Sequence, residues 1–416
     1  MRILFFATYP TQPTGYGRIG NILTNHLASV GHEVYYLGIS HFKDSAIERD
    51  VHPFIHLIDA LAERREGSEE LYGVDVICDT IHKVRPDVVL IYNDVIVINR
   101  ILNEFINTNI EKNFKLCIYL DMVYEYQRLL YFQNINLWAD SILVFSECWK
   151  KNLITMGLTE NKIDVLPHGF DDTIFKPIAI ENATSTATAI AKQSMGFAPD
   201  DFVILNSNRN AYRKAHDITI EAFVKFLKKQ KYNPSIKLFL NMQLLSPQGY
   251  NIHELIKVIC LKNEVDHNEV VLKHVFIRPS DLYFPDEKLN MLYNACDVGI
   301  NTCLGEGFGL CNLEHACIGK PQIISKVGAL ADIFTNNYAT LIEPKTDLYL
   351  ASLTEGHEGY IKITDSSDFA EALDKYYSNR DLARYHGGLA QSVLTKKYEW
   401  KHILDALNQK LVTLTA

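Results

Sequence analysis

One stretch constrains the fold of this chain more than any other: Gly305-Glu306-Gly307-Phe308-Gly309-Leu310-Cys311-Asn312-Leu313-Glu314. An apolar run from Asp297 to Thr302 precedes it and predicts a buried strand. Leu310 to Ile318 follows as a short helix, closed by Gly319 with Pro321 just beyond, and Gln322 to Ser325 predicts the next strand. A glycine loop between a strand and a helix aims backbone N–H groups at whatever sits above it, and the helix dipole adds partial positive charge there. That is an anion site, most often for phosphate. Two carboxylates bracket it, Glu306 in the loop and Glu314 inside the helix. Carboxylates repel phosphate, so they need another task, and accepting hydrogen bonds from sugar hydroxyls suits them. The plainer alternative is a glycine turn with two solvated glutamates.

Glu306 and Glu314, separated by seven residues around Gly-Phe-Gly, resemble the E-x7-E signature of retaining GT-B glycosyltransferases, specifically the large family-4-like group (glycosyl transferases group 1). The resemblance implies two facing, doubly wound, Rossmann-like α/β domains with a cleft between them. It implies that Glu306 lies beside the transferred sugar and that Glu314 holds the ribose hydroxyls of the nucleotide. It also implies that the amides of Gly307, Phe308, Gly309 and Leu310 contact the sugar and diphosphate.

At 416 residues the chain is too long for one ordinary core, so two or three domains are expected. A hydrophobic content of 47% with 22% charged residues is ordinary for a soluble globular protein. The formal net charge of -9, with no basic block beyond the local cluster Lys225 to Lys231, argues against nucleic-acid binding. Eight scattered cysteines without a CxxC pair fit a reducing cytosol, so a cytoplasmic location is expected. Met1 to Phe6 reads as a first strand rather than a signal peptide. No apolar run spans a membrane, which leaves peripheral membrane contact open.

In chain order, Ile3 to Ala7 predicts strand one, followed by a loop and a helix from about Arg18 to Val30. Gly15, Gly17 and Gly20 form a G-x-G-x-x-G, but the glycines come late after the strand and no acid closes strand two, Val34 to Leu37. The resemblance instead makes Gly15 and Gly17 an N-terminal glycine loop that approaches the donor's phosphates. His41 to Gly73 reads as a variable stretch. Strands at Val88 to Tyr92 and Leu116 to Leu120 end at Asp94 and Asp121, at the carboxyl edge where open parallel sheets bind ligands. Each carboxylate has a helix N-cap as its alternative role. The family often carries His or Asp near the sugar at the position of Asp121, so Asp121 is the candidate taken forward. The run through Val165, Leu166, Pro167, His168 and Gly169 resembles the family's crossing point, with His168 either facing the donor or acting as a hinge. The expected domains are 1–175, a linker over 176–197, and 198–399, with the C-terminal helix 400–416 completing the first.

The second domain opens with a strand, Phe202 to Ser207, and then Arg209 and Lys214, five apart. They match the Arg and Lys with which the family grips a diphosphate, a fork for two oxygens and a point charge. Solvated loop charges are the alternative, and the role of the adjoining Arg213 is left open. Strands Lys237 to Asn241 and Val270 to Ile277, with a helix between them, complete the expected pattern. Asp-x-Asp, the metal element of GT-A transferases, is missing, and His253-Glu254 lacks the second His of a zinc-protease helix. The expectation is therefore a retaining, metal-independent glycosyltransferase with no cofactor. Its substrates are a UDP- or GDP-linked sugar donor and an unknown acceptor hydroxyl. A GT-B-fold sugar-nucleotide epimerase, a nicotinamide-dependent oxidoreductase and a non-catalytic sugar-nucleotide binding module are the alternatives.

Overall fold

A computed structural model describes residues 1–45, 47–178, 187–279, 284–351 and 357–416. The chain divides into two compact units. The first gathers Met1–His168, a short segment ending at Gly359, and Trp400–Ala416; the second takes the rest from Gly169 to Glu399.

The first unit is built on seven parallel strands: β1 (Arg2–Thr8), β2 (Glu33–Ile39), β3 (Ile55–Asp59), β4 (Val88–Asp94), β5 (Lys115–Asp121), β6 (Ser141–Val144) and β7 (Ile163–Val165). Their order is β3-β2-β1-β4-β5-β6-β7. Ile3 to Ala7 and Val88 to Ile91 are fully buried, as expected of strands covered by helices on both faces. The second unit repeats the plan with β8 (Phe202–Asn206), β9 (Ile236–Leu240), β10 (Val275–Ile277), β11 (Val298–Asn301), β12 (Gln322–Ser325) and β13 (Thr340–Ile342). Here the order is β10-β9-β8-β11-β12-β13. Its core is formed by Phe202, Ile204, Leu238, Leu240, Val298, Ile300 and Ile323 against helices such as His216–Lys229 and Ser366–Ser378. Strand order reverses between β1 and β4 and again between β8 and β11. At such switch points the flanking loops diverge and leave a crevice.

The sequence and the structure part company in four places. Gly15 and Gly17 do not lie in a loop. They occupy the first turn of helix Gly15–Ser29, where Thr14 caps the end by accepting from the Gly17 N–H at 3.0 Å. Thr14, not a glycine run, starts the element, as an N-cap threonine should. The stretch read as variable holds strand β3, whose side chains beyond Ile55 are exposed or half-buried, so it lacks the apolar run that marks an inner strand. Val270 to His274 belong to helix His267–His274, capped by Asp266 onto the Asn268 N–H at 2.9 Å. Only Val275–Ile277 pair as a strand there. A two-stranded ribbon, β14 (Thr346–Leu350) and β15 (Gly359–Ile363), was not anticipated.

Within the segment read as a linker, residues 179–186 lie outside the described part. The described remainder is tied to the second unit: Lys176 and Ile178 donate their N–H groups to Asn290 and Asn294, each at 3.1 Å, and the buried Lys192 ammonium pairs with Asp297 at 2.9 Å. Among the described residues no helix is long and apolar enough to cross a membrane.

Gly20 shows how closely the first helix meets its sheet. A Cβ there would lie 2.3 Å from the Tyr36 hydroxyl and 3.2 Å from Phe5, while that hydroxyl donates to the Thr8 carbonyl at 2.6 Å. Gly20→Ala is therefore expected to destabilise the chain by about 1–3 kcal/mol, the usual cost of overpacking. Tyr36→Phe in the same chain should recover part of the loss. A double-mutant cycle by urea denaturation checks this, and purely additive effects would contradict the contact.

Candidate functional site

The loops after β8 and β11 flank the second unit's switch point, and the charged residues of the sequence motifs meet there. Lys214 ends a 3-10 turn, Tyr212–Lys214, in the loop after β8. Its ammonium is hydrogen-bonded to the carboxylate of Glu306 in the loop after β11, with both side chains under a tenth exposed. Arg213 stands on the other oxygen of Glu306 at 3.7 Å and donates to the Gly305 carbonyl at 3.3 Å. Burial acts against ionisation of Glu306, but the charge of Lys214, then that of Arg213, outweighs it and holds the carboxyl below the ordinary glutamate range; hydrogen bonds from Lys214 and Asn301 add to this. The main chains are joined too, with the Leu304 N–H donating to the Arg213 carbonyl at 2.8 Å. Lys214 has three N–H donors, so pairing with one carboxylate leaves capacity for a phosphate.

Glu306 and Glu314 frame the start of helix Leu310–Cys317, which has Gly309 as N-cap and so no side-chain cap hydrogen bond. Gly309 is in the left-handed region at φ 92°, and a Cβ on it would lie 2.5 Å from Leu330. Leu330 opens the short helix Leu330–Ile333, and the neighbouring Ala329 N–H donates to the Glu306 carbonyl at 3.2 Å. The segment after β12 thus packs on the motif loop. Phe308 is buried edge-on to Tyr398, ring centroids 5.7 Å apart, so its side chain is core while its main chain belongs to the loop. Glu314 is buried and accepts from the Tyr293 hydroxyl at 3.1 Å. Arg209 lies on the exposed side of the β8 loop, its carbonyl held by the His216 ring at 3.0 Å. Cys311 cannot serve as a thiolate at neutral pH, since burial pushes its thiol up to about 12.

Behind these charges runs a chain of buried polar side chains that the motif reading missed. Asn301 donates to Asn312 at 2.7 Å, Asn312 to Gln322 at 2.9 Å, and Gln322 to the His315 Nδ1 at 3.1 Å. His315 Nε2 meets the Tyr293 carbonyl at 3.1 Å. A carbonyl only accepts, so Nε2 carries the proton and Nδ1 receives from Gln322. Burial keeps this ring neutral, lowering its pKa to about 3. Asn206 donates to Thr219, whose hydroxyl meets that of Thr302 at 2.6 Å. The available signal was side-chain amides at the ends of otherwise apolar strands: Asn206, Asn301 and Gln322.

The remaining candidates lie in the first unit. Asp121, at the end of β5, accepts from the Tyr16 hydroxyl at 2.5 Å. It caps no helix, unlike Asp94, which accepts from the Ile96 and Val97 N–H groups at 2.9 and 3.0 Å. Gly15 is exposed at the helix start, whereas Gly17 is buried, and a Cβ there would lie 2.7 Å from the Gln12 carbonyl oxygen. His168 is enclosed by Tyr92, Tyr119 and Phe145. The Tyr119 hydroxyl spends its proton on the Leu166 carbonyl at 2.9 Å and so receives from His168 Nδ1 at 2.8 Å. Burial lowers that ring's pKa to about 3. Among the described residues no group of three or more His, Cys, Asp or Glu side chains is arranged to hold a metal ion.

Two doubly wound parallel units are the GT-B architecture. Residues 201–379, which apart from the short segment ending at Gly359 lie within the second unit, match the family described as glycosyl transferases group 1. An uncharacterized glycosyltransferase of Methanocaldococcus jannaschii is 24% identical over 263 residues, 63% of this chain and 57% of that relative. Across the curated relatives matched, the aligned part spans between 35% and 57% of their own length. Among solved structures, Anabaena HepE in complex with UDP and glucose superposes with a TM-score of 0.69 at 16% identity, covering 99% of this chain and all of that one. Sucrose-phosphate synthase from Thermosynechococcus elongatus gives 0.73 at 17% identity, covering 100% of this chain and 99% of that one. At those identities the likeness is one of fold.

Ala215, directly after Lys214, has φ 47° and ψ 53°, a left-handed backbone that side chains resist. Relief of about 1–2 kcal/mol on changing it to glycine competes with loss of a buried methyl, about 0.8 kcal/mol. Ala215→Gly should therefore stabilise the chain by up to about 1 kcal/mol, and Ala215→Val should clearly destabilise it. Urea denaturation midpoints check both, and a lower midpoint for the glycine variant would refute the strain.

Proposed function

We propose that the chain is a retaining, metal-independent glycosyltransferase that moves a sugar from a nucleoside-diphosphate donor to an acceptor hydroxyl. The observation that carries the reading is the buried Lys214–Glu306 pair beside the open start of helix Leu310–Cys317. It sets fixed positive charge and a helix N-terminus with no N-cap side chain next to a carboxylate, which suits a diphosphate next to a sugar. The anomeric carbon–oxygen bond to phosphate breaks, and the acceptor oxygen bonds that carbon from the same face. The acceptor's proton passes to the leaving phosphate. Lys214, Arg209 and the amides from Gly307 to Leu310 stabilise the charge left on the phosphate oxygens. Glu306 stands by the sugar, and Glu314, anchored by Tyr293, accepts from the ribose hydroxyls. Asp121 on the first unit serves the acceptor side, and Gly15, at the exposed start of its helix, offers its amide to an anion, while the Gly17 N–H is held by Thr14. HepE, whose structure holds UDP, makes UDP the first nucleotide to test, with GDP, ADP and dTDP beside it in a thermal-shift screen.

Stabilisation by fixed protein charge predicts that activity survives excess EDTA, while Arg209→Ala or Lys214→Ala costs at least ~100-fold in turnover. Arg209→Lys should be poorly tolerated, because an ammonium cannot supply a two-oxygen fork. Loss of activity in EDTA that manganese restores would sink the reading.

The two glutamates should separate in kinetics. Glu314→Ala should mainly weaken nucleotide binding, by roughly 1–3 kcal/mol for a lost charged hydrogen bond, and Glu306→Ala should mainly lower turnover. Calorimetric titration with the nucleotide alone distinguishes them. Affinity that falls for Glu306→Ala and not for Glu314→Ala would reverse the two roles.

A further inference from the structure

The rim of the first unit carries a second polar cluster, separate from Asp121. At the carboxyl ends of β1, β2 and β3 stand Tyr9, His41 and Asp59. His41 Nδ1 lies 2.7 Å from Asp59 Oδ2, and the rings of His41 and Tyr9 are stacked 3.7 Å apart and within 6° of parallel. The other Asp59 oxygen accepts the Leu61 N–H at 3.0 Å, which fixes the carboxylate at both ends. Gly38, paired with Asp59 in the sheet, makes room for the stack, since a Cβ there would lie 2.4 Å from the Tyr9 ring. Ser40, the residue before His41, holds a left-handed φ of 55°. That conformation is strained for serine and persists only when its surroundings enforce it.

The surroundings do enforce it. The Tyr9 N–H donates to the Ile39 carbonyl at 2.8 Å, Gln12 reaches across to the Phe42 carbonyl at 3.1 Å, and the Ile47 N–H donates to Thr11 at 2.8 Å. Arg49 braces the same loop by donating to the carbonyls of Pro10 and Gln12 at 2.6 Å each. Two loops are thereby locked together around a side chain that no core requires.

A carboxylate only accepts, so His41 Nδ1 carries a proton and a neutral ring presents the lone pair of Nε2. That nitrogen has no protein partner among the described residues and is not one of the buried polar atoms. The site has an acceptor lone pair, an aromatic face beside it and a negative charge behind it. It fits an O–H donor carried on an apolar ring face and repels a phosphate.

We propose that Tyr9, His41 and Asp59 form a subsite for a hydroxyl of the acceptor, a sugar or related polyol, which donates to His41 Nε2 while its ring lies along the Tyr9 side of the stack. The proposal rests on the glycosyl-transfer reading. His41 follows β2 and Asp121 ends β5, three strand spacings apart in the sheet, or roughly 14 Å. The subsite therefore holds a part of the acceptor away from the reacting hydroxyl, and an extended acceptor gains most from it. His41 and Asp59 act on acceptor affinity rather than on turnover.

The test is a titration of the full chain, labelled with 15N-histidine, with glucose, mannose, maltose, mannobiose and myo-inositol in turn, following the imidazole resonance of His41. At least one probe should move that resonance saturably, and a disaccharide should do so at lower concentration than its monosaccharide. Asp59→Asn and Tyr9→Ala should weaken the response about three- to tenfold, the scale of one hydrogen bond. His41→Gln should keep the wild-type melting temperature and nucleotide affinity while raising the acceptor KM and leaving kcat within about twofold. A resonance that none of the five probes moves overturns the subsite. So does an unchanged response in Asp59→Asn, or a nucleotide affinity that falls with His41→Gln. The glycosyl-transfer reading fails separately, on a wild-type chain that binds none of UDP, GDP, ADP or dTDP.

Discussion

The second unit depends on one buried ion pair. Lys214 and Glu306 come from loops 92 residues apart in sequence, and each is almost wholly removed from water. Neither charge would be tolerated there alone, because stripping water from an ion costs several kcal/mol that only a close partner offsets. The pair therefore fixes the loop after β8 against the loop after β11, across the point where strand order reverses. Arg213 adds a second cation, so the cluster of three carries net positive charge. That surplus stands beside the N-terminus of helix Leu310–Cys317, whose dipole has the same sign.

Neutral polar groups hold the frame in place. Asn301, Asn312, Gln322 and His315 form one hydrogen-bonded run, and each tautomer and amide orientation follows from the next. A chain of this kind is costly if one member is left unpaired, so it specifies a single arrangement of strand ends. Strain is concentrated nearby, at the left-handed Ala215 beside Lys214. The first unit uses the same devices on its own rim, with Tyr16 on Asp121, a neutral His168 among aromatic rings, and strained Ser40 ahead of the His41–Asp59 pair.

The sequence alone determined the architecture and the principal motif. Apolar runs alternating with amphipathic ones marked βαβ alternation in both halves, because strands covered on both faces must be apolar throughout, and the family resemblance implied two such units. Strand Gln322–Ser325 and the helix beginning at Leu310 were read to the residue, since Gly309, Gly319 and Pro321 punctuate them. Elements with weak punctuation escaped. β3 sits at a sheet edge with little buried surface, and Val270 and Val271, β-branched residues suited to a strand, lie in a helix that Asp266 caps.

What only the tertiary structure decided is which charges meet. Spacing in the sequence placed Arg209 and Lys214 together as a pair, yet Lys214 and Arg213 are the cations that reach Glu306, while Arg209 stays on the exposed side of the loop. Asp94 and Asp121 looked alike at the ends of neighbouring strands. One caps a helix and the other takes a tyrosine hydroxyl from the helix after β1. Local sequence fixes where a side chain leaves its strand, because backbone periodicity is a short-range property. The partner it finds depends on residues tens to hundreds of positions away, brought to the same rim only when the parallel sheet assembles.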